Sequence, residues 1–315
     1  MAPSSHVTVE IDLARIRQNV HDIAARTGVE VIAVIKADAY GLGADAVAAA
    51  IGDLVGGFYV FDAAEVVAAK LRDVTDRRAL CLFGASNYAE DYLSLNIQPI
   101  VWNTERAANM KRAKPVLALD TGQQRFGCAA GELLGVLKAG DCREVMTHAI
   151  HLEQVRLFRR IVETEIPAAD RQGMRLHAVG SALLNEKEAW LNGVRPGLAL
   201  YRNAVRVSTT LVEAKDSVGP AGYTGFIVPR FGVILAGYLQ GLRPGPCVVN
   251  GRSQKILEVG MQSAFVEIAG TDKVGDAVTL LGEGLEVEGV AESWNVRPQE
   301  VLIRLTGAAR RVFRR

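Results

Sequence analysis

The 315-residue chain lacks most features that would tie it to a surface or a polymer. Neither sign of charge is in excess: 36 Lys and Arg against 35 Asp and Glu leave a formal net charge of +1, too little to steer it toward nucleic acid or an anionic membrane. No apolar run approaches the ~18 residues of a membrane span, and the first residues, Met1 to His6, lack the charged-then-apolar order of a secretion signal. Cysteine is scarce. Cys81, Cys128, Cys142 and Cys247 show no close pairing, which argues against a disulfide framework or a zinc site and fits a reducing cytoplasm. With 49% hydrophobic and 23% charged residues the composition also excludes disorder. Small molecules or other proteins remain as partners, with no metal site indicated.

What is present is a rhythm. Apolar, strand-like runs recur at 31–36, 57–61, 79–83, 97–101, 115–119, 144–149, 174–179 and, briefly, 193–195. Most are separated by a helical pattern such as Ala63–Arg72 or Leu152–Glu163, the weakest being Asn185–Asn192. Strand alternating with helix eight times predicts a (β/α)8 TIM barrel over residues 12–205, with its reactive groups at the C-terminal ends of the strands. Ahead of it, Val7–Ile11 alternates like a strand, and Asp12 caps a helix running to about Arg26 with Leu13, Ile16, Val20 and Ile23 at helical spacing. After about Arg202 the pattern changes. Runs at 205–212, 226–238, 246–249, 254–259, 264–268 and 277–281 are broken by Gly, Pro and Asp, with no helix until Gly289–Asn295. Residues 206–315 are therefore expected to form a mainly β domain, joined by the N-terminal strand of residues 1–11. No low-complexity linker separates the two.

The expected strand ends carry the chemistry. In Val31-Ile-Ala-Val-Ile-Lys-Ala-Asp-Ala-Tyr-Gly-Leu-Gly43, a buried strand ends on Lys36. An ammonium there must find a counter-ion, reach solvent or lose its charge, and in an enzyme the last route makes an amine nucleophile. Asp120 and Arg125 follow the fifth run, His148 ends the sixth, Ser181 follows the seventh and Arg195 ends the eighth. Each alone is more often a structural partner of a neighbouring carboxylate or carbonyl, and a lone lysine usually keeps its head in water. Their convergence on one rim is the stronger signal.

Ala33-Val-Ile-Lys-Ala-Asp-Ala-Tyr-Gly-Leu-Gly43 resembles the signature of the alanine racemase family, in which the lysine carries pyridoxal 5′-phosphate (PLP). Val194-Arg-Pro-Gly-Leu-Ala-Leu-Tyr201 is similar to the family segment whose arginine faces the pyridine nitrogen. The resemblance implies that Arg195 takes that place and that Tyr40, Ser181 and the N–H groups of Gly197 and Leu198 contact the phosphate. Ala221-Gly-Tyr-Thr-Gly225 resembles the segment of the second catalytic base, which makes Lys36 and Tyr223 the pair acting on opposite faces of the substrate Cα. Arg125, in Asp120-Thr-Gly-Gln-Gln-Arg-Phe-Gly127, and His148, in Thr147-His-Ala, resemble the positive neighbours that tune the base. In Val259-Gly-Met-Gln262, Met261 matches a residue of the substrate carboxylate site. Tyr238, in Gly237-Tyr-Leu-Gln-Gly241, matches an aromatic of the entrance corridor. In the family the tyrosine and methionine come from the partner of a head-to-tail homodimer.

The resemblance also frays. Leu42, Ala118, Gln123-Gln124, Gly180, Arg202, Gln240, Gln262 and Gly307 replace family residues, and Ala118 stands for a lysine, often carbamylated, that orients the arginine matched by Arg125. The resemblance thus implies a racemase for alanine, supplying D-alanine for the cell wall, or for another small amino acid such as serine. A PLP-binding protein without catalysis is the reading from another class.

Overall fold

A computed structural model of the chain describes residues 4–84 and 86–315, which divide into two compact units. One holds residues 16–39 and 43–200. The other holds the chain up to Arg15, the short piece 40–42, and residues 201–315.

The chain opens on β1 (Ser4–Asp12), longer than the alternation of Val7–Ile11 suggests; residues 1–3 of the expected strand lie outside the described residues. Asp12 caps the helix Leu13–Thr27, its Oδ1 accepting the Arg15 N–H at 2.8 Å. Eight strands then close a parallel barrel: β2 (Glu30–Val34), β3 (Gly57–Val60), β4 (Arg78–Cys81), β5 (Ile97–Val101), β6 (Val116–Ala118), β7 (Glu144–Ala149), β8 (Arg175–Val179) and β9 (Gly193–Val194). β9 returns to β2 by the pairs Glu30 with Gly193 and Val31 with Val194. The runs are largely apolar because a barrel strand is covered on both faces, and Ile32, Phe58, Leu80, Ile100, Leu117 and Val145 are fully buried. Two helical expectations are corrected. Ala63–Arg72 splits into Ala63–Ala68 and Leu71–Val74 where Lys70 takes φ +47°, and Asn185–Asn192 yields only the 3-10 turn Lys187–Ala189.

Charged residues cross the barrel floor. Arg78, first residue of β4, bonds Glu144 of β7 at 2.6 Å and Glu30 of β2 at 3.1 Å, and Arg175 of β8 pairs with Glu30. Glu144 Oε1 also lies 2.8 Å from Nε2 of His177, whose Nδ1 meets the Arg195 guanidinium. Burial alone would push the Glu144 carboxyl up, but His177 and Arg78 outweigh it and hold it at about 2. A buried ionic chain of this kind adds little net stability. What it does is fix positions from the floor up to Arg195.

The second unit is an eight-stranded sheet built from β1, β10 (Val205–Asp216), β11 (Arg230–Ile234), β12 (Gly245–Val249), β13 (Arg252–Val259), β14 (Ala264–Glu267), β15 (Ala277–Leu281) and β16 (Ala309–Arg314). Its order is β11-β14-β13-β12-β15-β10-β1-β16, with β11 also pairing back to β10. The run 226–238 is extended only over β11, because residues 221–226 form a closed turn and Tyr238–Gln240 a 3-10 turn. The helix expected at 289–295 spans Val287–Trp294. Two elements were absent from the expectation, the helix Pro298–Thr306, with proline in its first turn, and the arginine-rich β16, which runs parallel to β1 at the sheet edge.

Replacing Glu144 should expose the floor network in an acid titration. A carboxyl held below its unfolded value contributes stability that is present above about 4.5 and lost as pH falls toward 2. Urea midpoints measured from pH 6 to pH 2.5 should therefore fall more steeply for the native chain than for Glu144→Gln, whose lower starting stability should vary less with acid.

Candidate active site

The strand carrying Lys36 stops at Val34, two residues earlier than its apolar run suggests, because the chain turns left-handed. Ala37, Asp38, Ala39 and Tyr40 have φ of +54°, +55°, +53° and +61°, a helical turn of the disfavoured hand over Lys36–Gly41. Each such L-residue costs about 1–2 kcal/mol, so four in succession must be held by their surroundings. The clamps are visible. Ala39 N–H donates to Ile35 O at 2.8 Å, Asp38 accepts from Gly43 N through its carbonyl at 3.0 Å and from Ala44 N through its carboxylate at 2.8 Å, and Glu65 accepts the Ala37 N–H at 2.6 Å. The buried Thr306 hydroxyl donates to Tyr40 O at 3.2 Å. At Gly41, φ +82°, a Cβ would fall 2.1 Å from that hydroxyl oxygen, so only glycine completes the turn.

Arg125 is presented by a tight loop. Asp120 N donates to Cys128 O at 3.0 Å and Cys128 N to Ala118 O at 2.9 Å, which closes its root. Gly127 presses on Asp120, where a Cβ would sit 2.7 Å from the backbone nitrogen. At the tip, Gln124 and Phe126 both have positive φ and flank Arg125. Support for the guanidinium, missing from position 118, comes instead from the Phe126 ring, 5.5 Å away. That ring packs on Trp102 at 5.2 Å and Phe83 at 5.9 Å.

His148 lies near the end of β7, at a register shift between Met146 and Ala149 that re-aims the strand. Arg195 follows β9 and is buried. Its guanidinium donates to His177 O at 3.1 Å and Ala178 O at 3.2 Å, also meets Thr147 O, and lies 5.9 Å from the Tyr59 ring; none of these partners is a carboxylate. Burial lowers it to about 10. Ser181 Oγ accepts the N–H groups of Gly197 and Ala199 at 3.0 Å each, which leaves the Leu198 N–H without an acceptor among the described residues.

Electrostatics bring these groups together. Burial, then Arg125 and Arg195, lower the Lys36 amine against the opposing pull of Glu65. His148 is accessible at the rim yet crowded by protein, and it is held at about 4 by that desolvation first and then by Arg195, Lys36 and Arg125. The Lys36 amine, the Arg125 guanidinium and the His148 ring make no hydrogen bond or ion pair among the described residues. Lys36 and Arg125 repel one another and the three side chains lack such partners, so the rim is built to receive an anion with several acceptors. Beside Arg125, the rings of Phe126, Trp102, Phe83 and Phe61 follow one another at the ends of β3 to β6; Phe61 and Phe83 are about 40% exposed.

Of the other expected residues, Tyr40, Tyr223, Tyr238 and Met261 belong to the β unit. Tyr40 is buried against Tyr201, ring centroids 5.2 Å apart, and burial pushes its phenol up to about 12. Tyr223 is 97% exposed on a turn held by Glu258, which accepts the N–H groups of Tyr223 and Thr224 at 2.9 and 2.7 Å. Met261 and Tyr238 are also exposed. Sequence reasoning missed Glu65, Tyr59, His177 and the aromatic arc. The rings at 61, 83 and 102 each close or follow an apolar run, which was the available signal.

A parallel eight-stranded barrel with a lysine turn at its rim, followed by a mainly antiparallel β unit, defines a class of barrel enzymes with a β appendage. The family model described as alanine racemase, N-terminal domain, matches residues 11–204. The alanine racemase of Aeromonas hydrophila is 30% identical, the match covering 96% of this chain and 97% of that one; that of Mannheimia succiniciproducens is 27% identical over 95% and 96%. Among solved structures, the biosynthetic alanine racemase of Pseudomonas aeruginosa superposes with a TM-score of 0.86 at 23% identity over the whole of both chains. The Bartonella henselae enzyme, solved with covalently bound pyridoxal phosphate, gives 0.85 at 21%, covering 98% of this chain and all of that one. This chain belongs to the alanine racemase family.

Two outcomes test the site's construction. Removing the Arg125 charge by Arg125→Ala should raise the His148 midpoint only slightly above about 4, because burial, Arg195 and Lys36 still hold it down, as followed by NMR of labelled histidine. Gly41→Ala should cost on the order of 2–4 kcal/mol in urea denaturation, because the new methyl meets a buried hydroxyl at positive φ.

Proposed function

We propose that the chain is a PLP-dependent amino-acid racemase that interconverts L- and D-alanine in the cytoplasm, as a head-to-tail homodimer that supplies D-alanine for the cell wall. The observation that carries this reading is the partnerless cluster of Lys36, Arg125 and His148 beside a buried Arg195 with no carboxylate on it. An anionic cofactor with an aldehyde fits that donor set: a lowered amine for the aldehyde, the Ser181 hydroxyl and the free Leu198 N–H for the phosphate, and the aromatic arc for apolar contact. Tyr40 is assigned to the same phosphate set, and the Gly197 N–H, which donates to Ser181 Oγ, would have to exchange that acceptor for a phosphate oxygen.

PLP, when bound through its aldehyde to the lysine, supplies an electron-withdrawing ring that acidifies the Cα–H of an amino acid. The protein does the rest. Lys36, with its ammonium disfavoured by burial and by two arginines, is better suited than a free lysine to take and return a proton. Arg195 remains a cation there, and facing the ring nitrogen it would disfavour a second positive charge, which favours return of the proton to Cα. Arg125 offers a fork of donors for a substrate carboxylate. Tyr223 is assigned to the opposite face of Cα, from the partner subunit, with Met261 at the carboxylate site and Tyr238 at the entrance. The exposure of all three on one chain supports that assignment. His148 stays neutral near pH 7, as a group placed among cations must.

Deuterium incorporation at Cα from heavy water tests the assignment. Lys36→Ala should abolish exchange of both alanine enantiomers, whereas Tyr223→Phe should slow one enantiomer by about a hundredfold or more and spare the other. Equal exchange of both in Tyr223→Phe would remove Tyr223 as the second base, and faster exchange of serine than alanine would reassign the substrate.

A further inference from the structure

Glu65 joins two strand ends at the rim. It sits in the first turn of the helix Ala63–Ala68, and its own N–H donates to the capping Asp62 carboxylate at 3.0 Å, so its side chain starts from a fixed backbone. One carboxylate oxygen accepts the Ala37 N–H at 2.6 Å and the other accepts the Phe61 N–H at 2.7 Å. Ala37 is the residue after Lys36 and the first of the four left-handed residues. The first N–H groups of any helical turn lack partners within it, and here a charged acceptor supplies one.

We infer that Glu65 is the positioning residue for Lys36: its bridging carboxylate pins the first peptide of the left-handed turn to the end of β3 and so sets where the lysine side chain leaves the rim. The same carboxylate opposes the field of Arg125 and Arg195 at the amine. It therefore limits how far burial and the two arginines disfavour the ammonium of Lys36. Two acceptors are required, because both strand ends present N–H groups. A glutamine offers one acceptor and turns an NH2 group on the other donor, with almost no change of volume. The consequence for chemistry rests on the reading of Lys36 as the cofactor amine, whereas the clamp is a property of this chain alone.

The test uses the full chain without cofactor, as wild type, Glu65→Gln and Glu65→Asp. Hydrogen–deuterium exchange is read at the Ala37 and Phe61 amides, with β12 as an internal reference, and the pH dependence of Lys36 acylation is read by peptide mass spectrometry. In Glu65→Gln the Ala37 amide should exchange about tenfold to a hundredfold faster, β12 should be unchanged, and the acylation midpoint should move to lower pH. Glu65→Asp keeps the charge but is too short to span both donors, so exchange should quicken while the acylation midpoint stays near wild type; it also decides the matter if the glutamine variant does not fold. Unaltered Ala37 exchange in a folded variant overturns the clamp whatever the amine does. A wild-type chain that forms no bond between PLP and Lys36 would instead overturn the functional reading and leave the exchange result standing.

Discussion

Like charges crowd the C-terminal rim of the barrel, and the fold has to hold them there. Arg125 and Arg195 lower the Lys36 amine, all three cations lower His148, and at the amine Glu65 pulls the other way. A protein gains nothing in stability from such an arrangement. It persists because each group is fixed from behind: the lysine by a left-handed turn, the loop arginine by a loop root closed by a parallel bridge and by an aromatic ring, the buried arginine by carbonyls and a histidine that leads down to the barrel floor. Strain in the backbone and repulsion between side chains are the two costs of a preorganised anion site.

The supports differ in kind. The floor network is ionic and buried, and it passes through Glu144 and His177, so its geometry is insulated from solvent. The Arg125 loop depends on packing, since Ala118 offers no charge and the Phe126, Phe83 and Trp102 rings fill the space beside the guanidinium. On the β unit, Glu258 closes the Tyr223 turn through backbone donors as Glu65 closes the lysine turn. Two carboxylates of quite different location thus do the same work, each fixing the turn beneath a side chain proposed as a base.

The barrel was legible because its strands are short, apolar and regularly spaced, and the positions 36, 125, 148, 181 and 195 follow from asking what stands just past each run. The β unit was less legible. β16 carries arginines that face water at an edge, and the helix Pro298–Thr306, though Val301, Leu302 and Leu305 fall on one face, is only nine residues long and gives a short signal. The left-handed turn was not visible, since Ala-Asp-Ala-Tyr has no intrinsic preference for positive φ and only tertiary bonds impose it. Glu65, His177 and Glu144 were hidden for the same reason: their partners are remote in sequence, and nothing local marks a carboxylate as a clamp. Resemblance supplied Tyr223, Tyr238 and Met261, which no spacing argument would have chosen.

The central claim is that Lys36 is the amine this rim was built to expose to an anionic aldehyde. Incubating the chain with PLP, reducing with borohydride and mapping the modified peptides addresses it directly. The account predicts one equivalent of label on the Lys36 peptide, with inorganic phosphate present before reduction suppressing the labelling only at high concentration. Label scattered over surface lysines, with the Lys36 peptide unmodified, would contradict it.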